Sequence, residues 1–243
     1  MFYNYNTQPY IVINGRDSRT IKGLLVSKLP PISKPAKRTK TEEIDGRDGD
    51  LVTVLGYSAY DKDLEIGLSF EYNIDDIISF FDESGRIVFS NEPDKYYNFA
   101  IYDQIDFEKL LRFKKATVSI HVQPFKFSDS ENERVFDSFG EYNSLTIRNS
   151  GNIYSRPTLS ITGAGDTEIY INGVKVLDID FSITGETLVI DSIDMNARNE
   201  SGELANRQIQ GNYDNIKLRV GSNIISFVGS ISEIKVRLFS RWI

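Results

Sequence analysis

Apolar side chains recur at every second residue along two stretches of this chain, and that period excludes most folds. In the first stretch Leu64, Ile66, Leu68, Phe70 and Tyr72 share one face, with Glu65, Gly67, Ser69 and Glu71 on the other. In the second, Ala116, Val118, Ile120 and Val122 alternate with Lys115, Thr117, Ser119 and His121. A repeat of two is the spacing of a strand with one buried face. The 13 Tyr and 15 Phe against 2 Met favour the same β-rich packing.

A helical repeat stands out once. Ile74, Ile77, Ile78 and Phe81 form one stripe, with Asn73 placed to cap it and Asp75 and Asp76 in the first turn, where the helix dipole favours negative charge. A helix this short must pack on the sheet.

Turn signals divide the rest. Asn14-Gly15 marks a hairpin between Tyr10–Ile13 and a returning strand over Ile21 to Leu29. Residues 30–40 carry three prolines and four basic side chains, which leave no helix and no regular ladder. They read as a solvated extended loop or as an arm crossing to a neighbouring subunit. Asp45 to Asp50 reads as a glycine-hinged turn; its acids are not at the positions of a calcium loop. Strands are expected at Leu51–Tyr60 and Leu64–Tyr72, joined by Asp61-Lys62-Asp63, then at Arg86–Ser90, Tyr96–Tyr102 and Arg112–Val122.

After a polar, aperiodic stretch the chain becomes all strands and turns. Asn172-Gly173 gives the strongest hairpin signal. Short strands are expected at Thr158–Thr162, Glu168–Ile171, Val174–Leu177, Thr187–Ile190, Ile216–Val220, Ile224–Val228 and Glu233–Phe239, with turns such as Gly163-Ala164-Gly165 between them. About a hundred residues of this kind imply a jelly-roll-like β-sandwich. The expected organisation is 1–130 as one domain, 131–143 as a linker and 144–243 as a second, with Trp242 packed near the end of the last strand.

The sequence offers little chemistry. Cysteine is absent, which excludes disulfides, thiolate nucleophiles and Cys-type zinc sites. The single histidine, His121, lies on the polar face of its strand, without a partner for metal or nucleophile-base work. No Walker loop, Rossmann fingerprint, G-x-S-x-G or H-E-x-x-H occurs. The expectation is no enzyme, no catalytic or metal-binding residues and no cofactor. Both halves are mildly acidic, with 17 basic against 20 acidic groups up to residue 130 and 11 against 15 beyond it, so no basic footprint for nucleic acid exists. The first residues lack a signal-peptide pattern and no apolar run nears the ~20 residues of a membrane span, so the expected product starts soluble, inside the cell.

A family resemblance follows from the order of several pieces. They are Ile13-Asn14-Gly15-Arg16-Asp17-Ser18, the basic Pro-rich arm, Ile44-Asp45-Gly46-Arg47-Asp48-Gly49 before a long strand, the short helix, Ser90-Asn91-Glu92-Pro93-Asp94-Lys95-Tyr96-Tyr97, and a strand ending in Gln123-Pro124. Together they resemble the distal tail proteins (Dit) of siphophages that infect Gram-positive bacteria. Asp45 stands where that family usually has proline. The second half is similar only in style.

The resemblance implies an N-terminal β-sandwich with one helix and a belt-like arm, followed by a galectin-like β-sandwich. It implies a homohexameric ring in the virion tail tip, made in the host cytoplasm. The ring would join the major tail tube protein to the tail-tip hub protein (a tail-associated lysin or tail fibre), anchor receptor-binding protein, and leave a channel that DNA crosses without specific binding. An acidic chain suits such a channel. In this reading Lys34, Pro35, Lys37, Arg38 and Lys40 belong to the inter-subunit arm, and Gly46, Arg47, Asp48, Gly49, Glu92 and Pro93 to the family's turns. An alternative function is binding of cell-wall carbohydrate by the second sandwich, with Tyr154, Tyr170 and Tyr213 as candidate stacking surfaces.

Overall fold

The computed structural model describes residues 8–128, 130–140 and 142–243. The chain is mainly β and forms two compact units, one up to Phe127 and the other from Ser128 to Trp242.

The first unit contains β1 (Ile11–Ile13), β2 (Arg16–Asp17), β3 (Leu24–Lys28), β4 (Lys37–Glu43), β5 (Asp50–Tyr57), β6 (Tyr60–Leu68), α1 (Ile74–Phe81), β7 (Ser84–Phe89), β8 (Tyr96–Ala100), α2 (Phe107–Phe113) and β9 (Lys115–Phe127). Its main sheet runs in the order β2-β1-β7-β8-β9-β6-β3. One core takes side chains from both ends of this order, Ile11 and Ile13 with Leu24 and Val26, so the sheet curls. Ile77, Phe80 and Phe81 of α1 fill it. The cap at Asn73 accepts from the Asp75 amide, with Asp75 and Asp76 in the first turn.

Several expected boundaries move. Asn14-Gly15 makes its tight turn, with φ values of 47 and 86°, but the returning strand is the short β2. The strand expected over Ile21 to Leu29 pairs instead with β6. Asp61-Lys62-Asp63 is no turn: all three pair with β9 inside β6. The Leu64–Tyr72 strand stops at Leu68, and Phe70 is fully exposed. Past that point Tyr72 lies outside the ladder, with the Lys114 ammonium 4.5 Å from its ring centre. A second helix, α2, was not signalled beforehand; Asp106 caps it by accepting from the Lys109 amide, and Leu110 anchors it in the core.

The second unit contains β10 (Arg134–Phe136), β11 (Ser144–Asn149), β12 (Thr158–Ile171), β13 (Val174–Asp191), β14 (Asn196–Asn199), β15 (Ile209–Gly211), β16 (Gly221–Arg237) and β17 (Arg241–Trp242). Residues 134–136 of the expected linker pair with β16. The short strands expected here fuse into three long ones, β12, β13 and β16. Gly163-Ala164-Gly165 does not separate strands but shifts the register within β12. A Cβ at Gly163 would lie 2.7 Å from the Phe181 ring and from the Ser230 carbonyl, so the bend needs glycine there.

β12 lies between β13 and β16; one half of this ladder is extended by β10 on β16 and β14 on β13, the other half by β11 on β16 and β15 on β13. Leu159, Ile161, Leu188 and Ile234 from the first halves share a core with Ile169, Leu177, Ile225 and Phe227 from the second, which makes a sandwich. Ile216–Val220 forms no strand; only Leu218 bridges, to Ser155. Trp242 is half-buried.

Candidate functional site: an unsupported hairpin and its anchored root

Strands β4 and β5 pair with each other, from Lys37 opposite Tyr57 to Glu43 opposite Asp50, and with no other strand among the described residues. β4 is exposed throughout, and β5 from Asp50 to Leu55. Ile44 to Gly49 make the tip, where Gly46 and Gly49 take φ values of 78 and 75°. These positive angles are strained for other residues, which accounts for the glycines. The projecting hairpin thus starts within the 30–40 stretch and runs on to Tyr57, with Gly46-Arg47-Asp48-Gly49 in its tip. Lys37, Arg38 and Lys40 lie on β4, whereas Lys34 and Pro35 lie in the extended lead.

The composition of β5 is at odds with exposure to water. Leu51-Val52-Thr53-Val54-Leu55 is almost continuously apolar, with Val52 and Val54 more than half exposed. A strand apolar on both faces suits burial on both faces, and a lone two-stranded hairpin is marginal in water.

The root of the hairpin is held by a buried polar cluster. Lys62 is only 4 % exposed, and its ammonium donates to the Pro31 carbonyl at 2.8 Å. The same ammonium lies 5.1 Å from the Tyr97 ring centre and 5.5 Å from that of Tyr60. Glu92 accepts from Lys126 at 2.7 Å and from the Tyr97 hydroxyl at 3.0 Å. Tyr60 donates to the Ser33 carbonyl at 3.3 Å and Asn91 to that of Pro30 at 3.1 Å. Ser90 receives the Tyr10 amide, and its own amide donates to the Tyr10 carbonyl. Asn91 of the Ser90–Tyr97 turn, with Lys62 and Tyr60 of β6, thus fastens residues 30–33, from which the hairpin departs.

The electrostatics follow from burial. Desolvation holds Lys62 below the ordinary lysine pKa, partly offset by the field of Glu92. Desolvation likewise raises the Tyr97 and Tyr60 hydroxyls, which stay neutral donors.

Glu92 and Pro93 were candidates from the turn motif; Lys62, Lys126, Tyr60 and Tyr97 were not. A signal for both lysines existed. Lys62 continues the Leu64-Ile66-Leu68 face backwards, and Lys126 continues the Ala116-Val118-Ile120-Val122 face forwards. Lysine on a core face needs a partner, and both partners are distant in sequence: the Pro31 carbonyl for Lys62 and Glu92 of the Ser90–Tyr97 turn for Lys126.

The three tyrosines of the second unit sit in different settings. The Tyr154 ring lies under Arg241, at 4.6 Å, and near Lys217. Tyr170 donates to Glu168 at 2.5 Å, and Tyr213 packs against the core. His121 pairs with Asp61 at 2.7 Å. No group of three or more Asp, Glu or His able to hold a metal occurs among the described residues, and no helix described is long and apolar enough to cross a membrane.

No protein-family model and no curated sequence matches the chain. Solved structures do. The Dit protein (gp 19.1) of phage SPP1, described as a paradigm of the hub adsorption apparatus in phages infecting Gram-positive bacteria, aligns at a TM-score of 0.69 and 16 % identity, over 95 % of this chain and 99 % of that one. This chain has the fold of a phage distal tail hub protein. Chains of the phage p2 baseplate in its activated conformation align less closely, at TM-scores of 0.47 with strontium (10 % identity, 94 % and 97 % of the two chains) and 0.43 with calcium (8 % identity, the same coverage).

Proposed function

We propose that the chain is a structural virion protein: a distal tail hub whose copies close into a hexameric ring at the tail tip. The hairpin of each copy clasps its neighbour. The ring joins the tail tube to the tail-tip hub and host-recognition proteins, and DNA passes through its channel. The observation that carries this reading is the Lys37–Tyr57 hairpin, which is unsupported by its own unit yet rich in exposed apolar side chains. The likeness in fold to the SPP1 Dit protein over nearly the whole of both chains supports this reading of the hairpin. Contacts between two different surfaces that close by rotation generate rings, and an arm supplies one of those surfaces.

Light scattering and negative-stain imaging of the full chain test the reading. The expected species is a ring of six times 27.7 kDa. Replacing residues 37–57 by a short Gly-Ser link should leave both units folded and abolish the ring. A monomer at every concentration, alone and with co-expressed tail tube protein, would refute it.

A further inference from the structure

The hairpin leaves its unit by two legs, and both are held. On the first leg the carbonyls of Pro30, Pro31 and Ser33 accept from three different side chains, Asn91, Lys62 and Tyr60, at 3.1, 2.8 and 3.3 Å. Proline at 30, 31 and 35 fixes the φ angles between these contacts, and Pro35 is buried. On the second leg the Tyr57 ring meets Phe125 of β9 edge-on, with ring centres 5.4 Å apart, before the chain enters β6 at Tyr60. The Ser58 amide donates to the Ala36 carbonyl at 2.9 Å and ties the legs together. A hairpin that only had to reach a neighbour would need no such root, since a flexible lead sweeps more space.

One of these contacts opposes stability. The Lys62 ammonium is buried among the rings of Tyr97, Tyr60 and Phe89, 5.1, 5.5 and 5.7 Å from their centres, and its hydrogen bond goes to a neutral carbonyl. Replacing a buried charge by an apolar side chain of similar size is often neutral or stabilising. The best attested use of such a group is to select one arrangement among several of similar energy. What Lys62 holds in one arrangement is Pro31, at the base of the hairpin.

We propose that Lys62, Tyr60 and Asn91 are positioning residues: through the backbone of residues 30–33 they set the angle at which the hairpin leaves its unit, and that angle fixes how many copies close a ring. The proposal rests on the ring-forming reading above and says what makes the ring one size. Heterologous contacts close only when the rotation per copy divides a full turn; otherwise they run on as open filaments. A ring of six turns by about 60° per copy, and rings of five or seven differ from it by roughly 10°. Seven cross-strand pairs separate Lys37–Tyr57 from Glu43–Asp50, a length of about 24 Å at ~3.4 Å per residue. A swing of about 10° at the root therefore moves the tip by about 4 Å, close to one residue of strand register. The root must hold its angle more tightly than that, and a loop without anchors would not.

The absence of cysteine leaves the choice of spin-label positions free. Labels at Asp48→Cys on the tip and Asp63→Cys on the exposed face of β6, in full chain diluted with unlabelled copies, read the angle as a distance within one copy. Native mass spectrometry of the label-free chain reads ring size. The unsubstituted chain should give one narrow distance and one ring size. Lys62→Met and Tyr60→Phe should each broaden the distance and lose the single size, giving mixed rings or open chains at temperatures well below the melt of the first unit. Ile66→Val, which trims the same core away from the root, should leave both readings unchanged. A single narrow distance and a single ring size in Lys62→Met would overturn the proposal and leave the ring standing. Mixed sizes in Ile66→Val would overturn it too, because ring size would then follow stability and not the root. Monomers alone from the unsubstituted chain would instead overturn the ring reading.

Discussion

Replacing Glu92 by glutamine tests the root of the hairpin most sharply. Glu92 is the carboxylate that faces Lys126 at 2.7 Å, in a setting where the two side chains are only 13 and 8 % exposed. Glutamine keeps an acceptor for the Tyr97 hydroxyl and changes little in volume, so the main loss is charge. Removing one partner of a buried ion pair costs about 3–5 kcal/mol, because the other charge stays buried without compensation. Residual exposure puts this pair near the lower end, about 3 kcal/mol. That is a large share of the ~5–15 kcal/mol that holds a domain together. It should accelerate globally limited amide exchange in β8 and β9 by roughly 100-fold. Hydrogen exchange read by mass spectrometry on the full chain measures this separately for each unit, and β12, β13 and β16 should not change. The double variant Glu92→Gln with Lys126→Met removes both charges, keeps the acceptor for the Tyr97 hydroxyl and should recover most of the loss. Unchanged exchange in Glu92→Gln, or a double variant as unstable as the single one, would refute the role given to this pair.

Other expectations are more compact. Lys62→Met removes a buried cation whose pKa burial holds down, so the first unit should lose under about 1 kcal/mol while exchange at residues 30–36 rises. Lys62 sheds its proton in the folded chain before the unfolded one does, so its penalty fades as pH rises towards 10.5, and the variant should flatten that rise in a pH series of denaturant melts. Gly23→Ala should destabilise the first unit in thermal melts, since it combines a φ of +85° with a Cβ 2.3 Å from that of Tyr72. In the second unit, Lys217 and then Arg156 lower the Asp214 carboxyl from 3.8 to about 2. Its contribution is complete above 3.8 and is lost as pH falls through about 2, so acid melts should show stability falling across that window and Asp214→Asn should remove the slope.

Local signals in the sequence carried far. Asn14-Gly15 and Asn172-Gly173 both make the tight turns expected of them, with positive φ at all four residues. The Ile74–Phe81 helix has the predicted bounds and cap. The alternation from Ala116 to Val122 buries the predicted face completely or nearly so. These features depend on neighbours within a few residues, where φ preference, capping and side-chain period act directly. The order of the turn pieces also carried the resemblance to distal tail proteins, and the fold agrees.

What the sequence could not supply was the partner of each strand. Leu51–Tyr60 reads like any other strand and residues 30–40 like an extended loop or arm, yet the first gives most of its length to a hairpin that leaves the sheet, where it pairs with Lys37–Glu43. Asp61-Lys62-Asp63 has the composition of a turn, but pairing with His121, Ile120 and Ser119 draws it into the ladder and buries the lysine. Gly163-Ala164-Gly165 looks like a turn because it bends, and only the approach of Phe181 and Ser230 shows that the strand continues through it. The sequence by itself determined the period, the turns and the helix, because those are short-range. The tertiary structure decided which edges stay open, what each buried lysine pairs with and where the hairpin stands free. Those outcomes depend on contacts between residues far apart in the chain, and no local pattern encodes them.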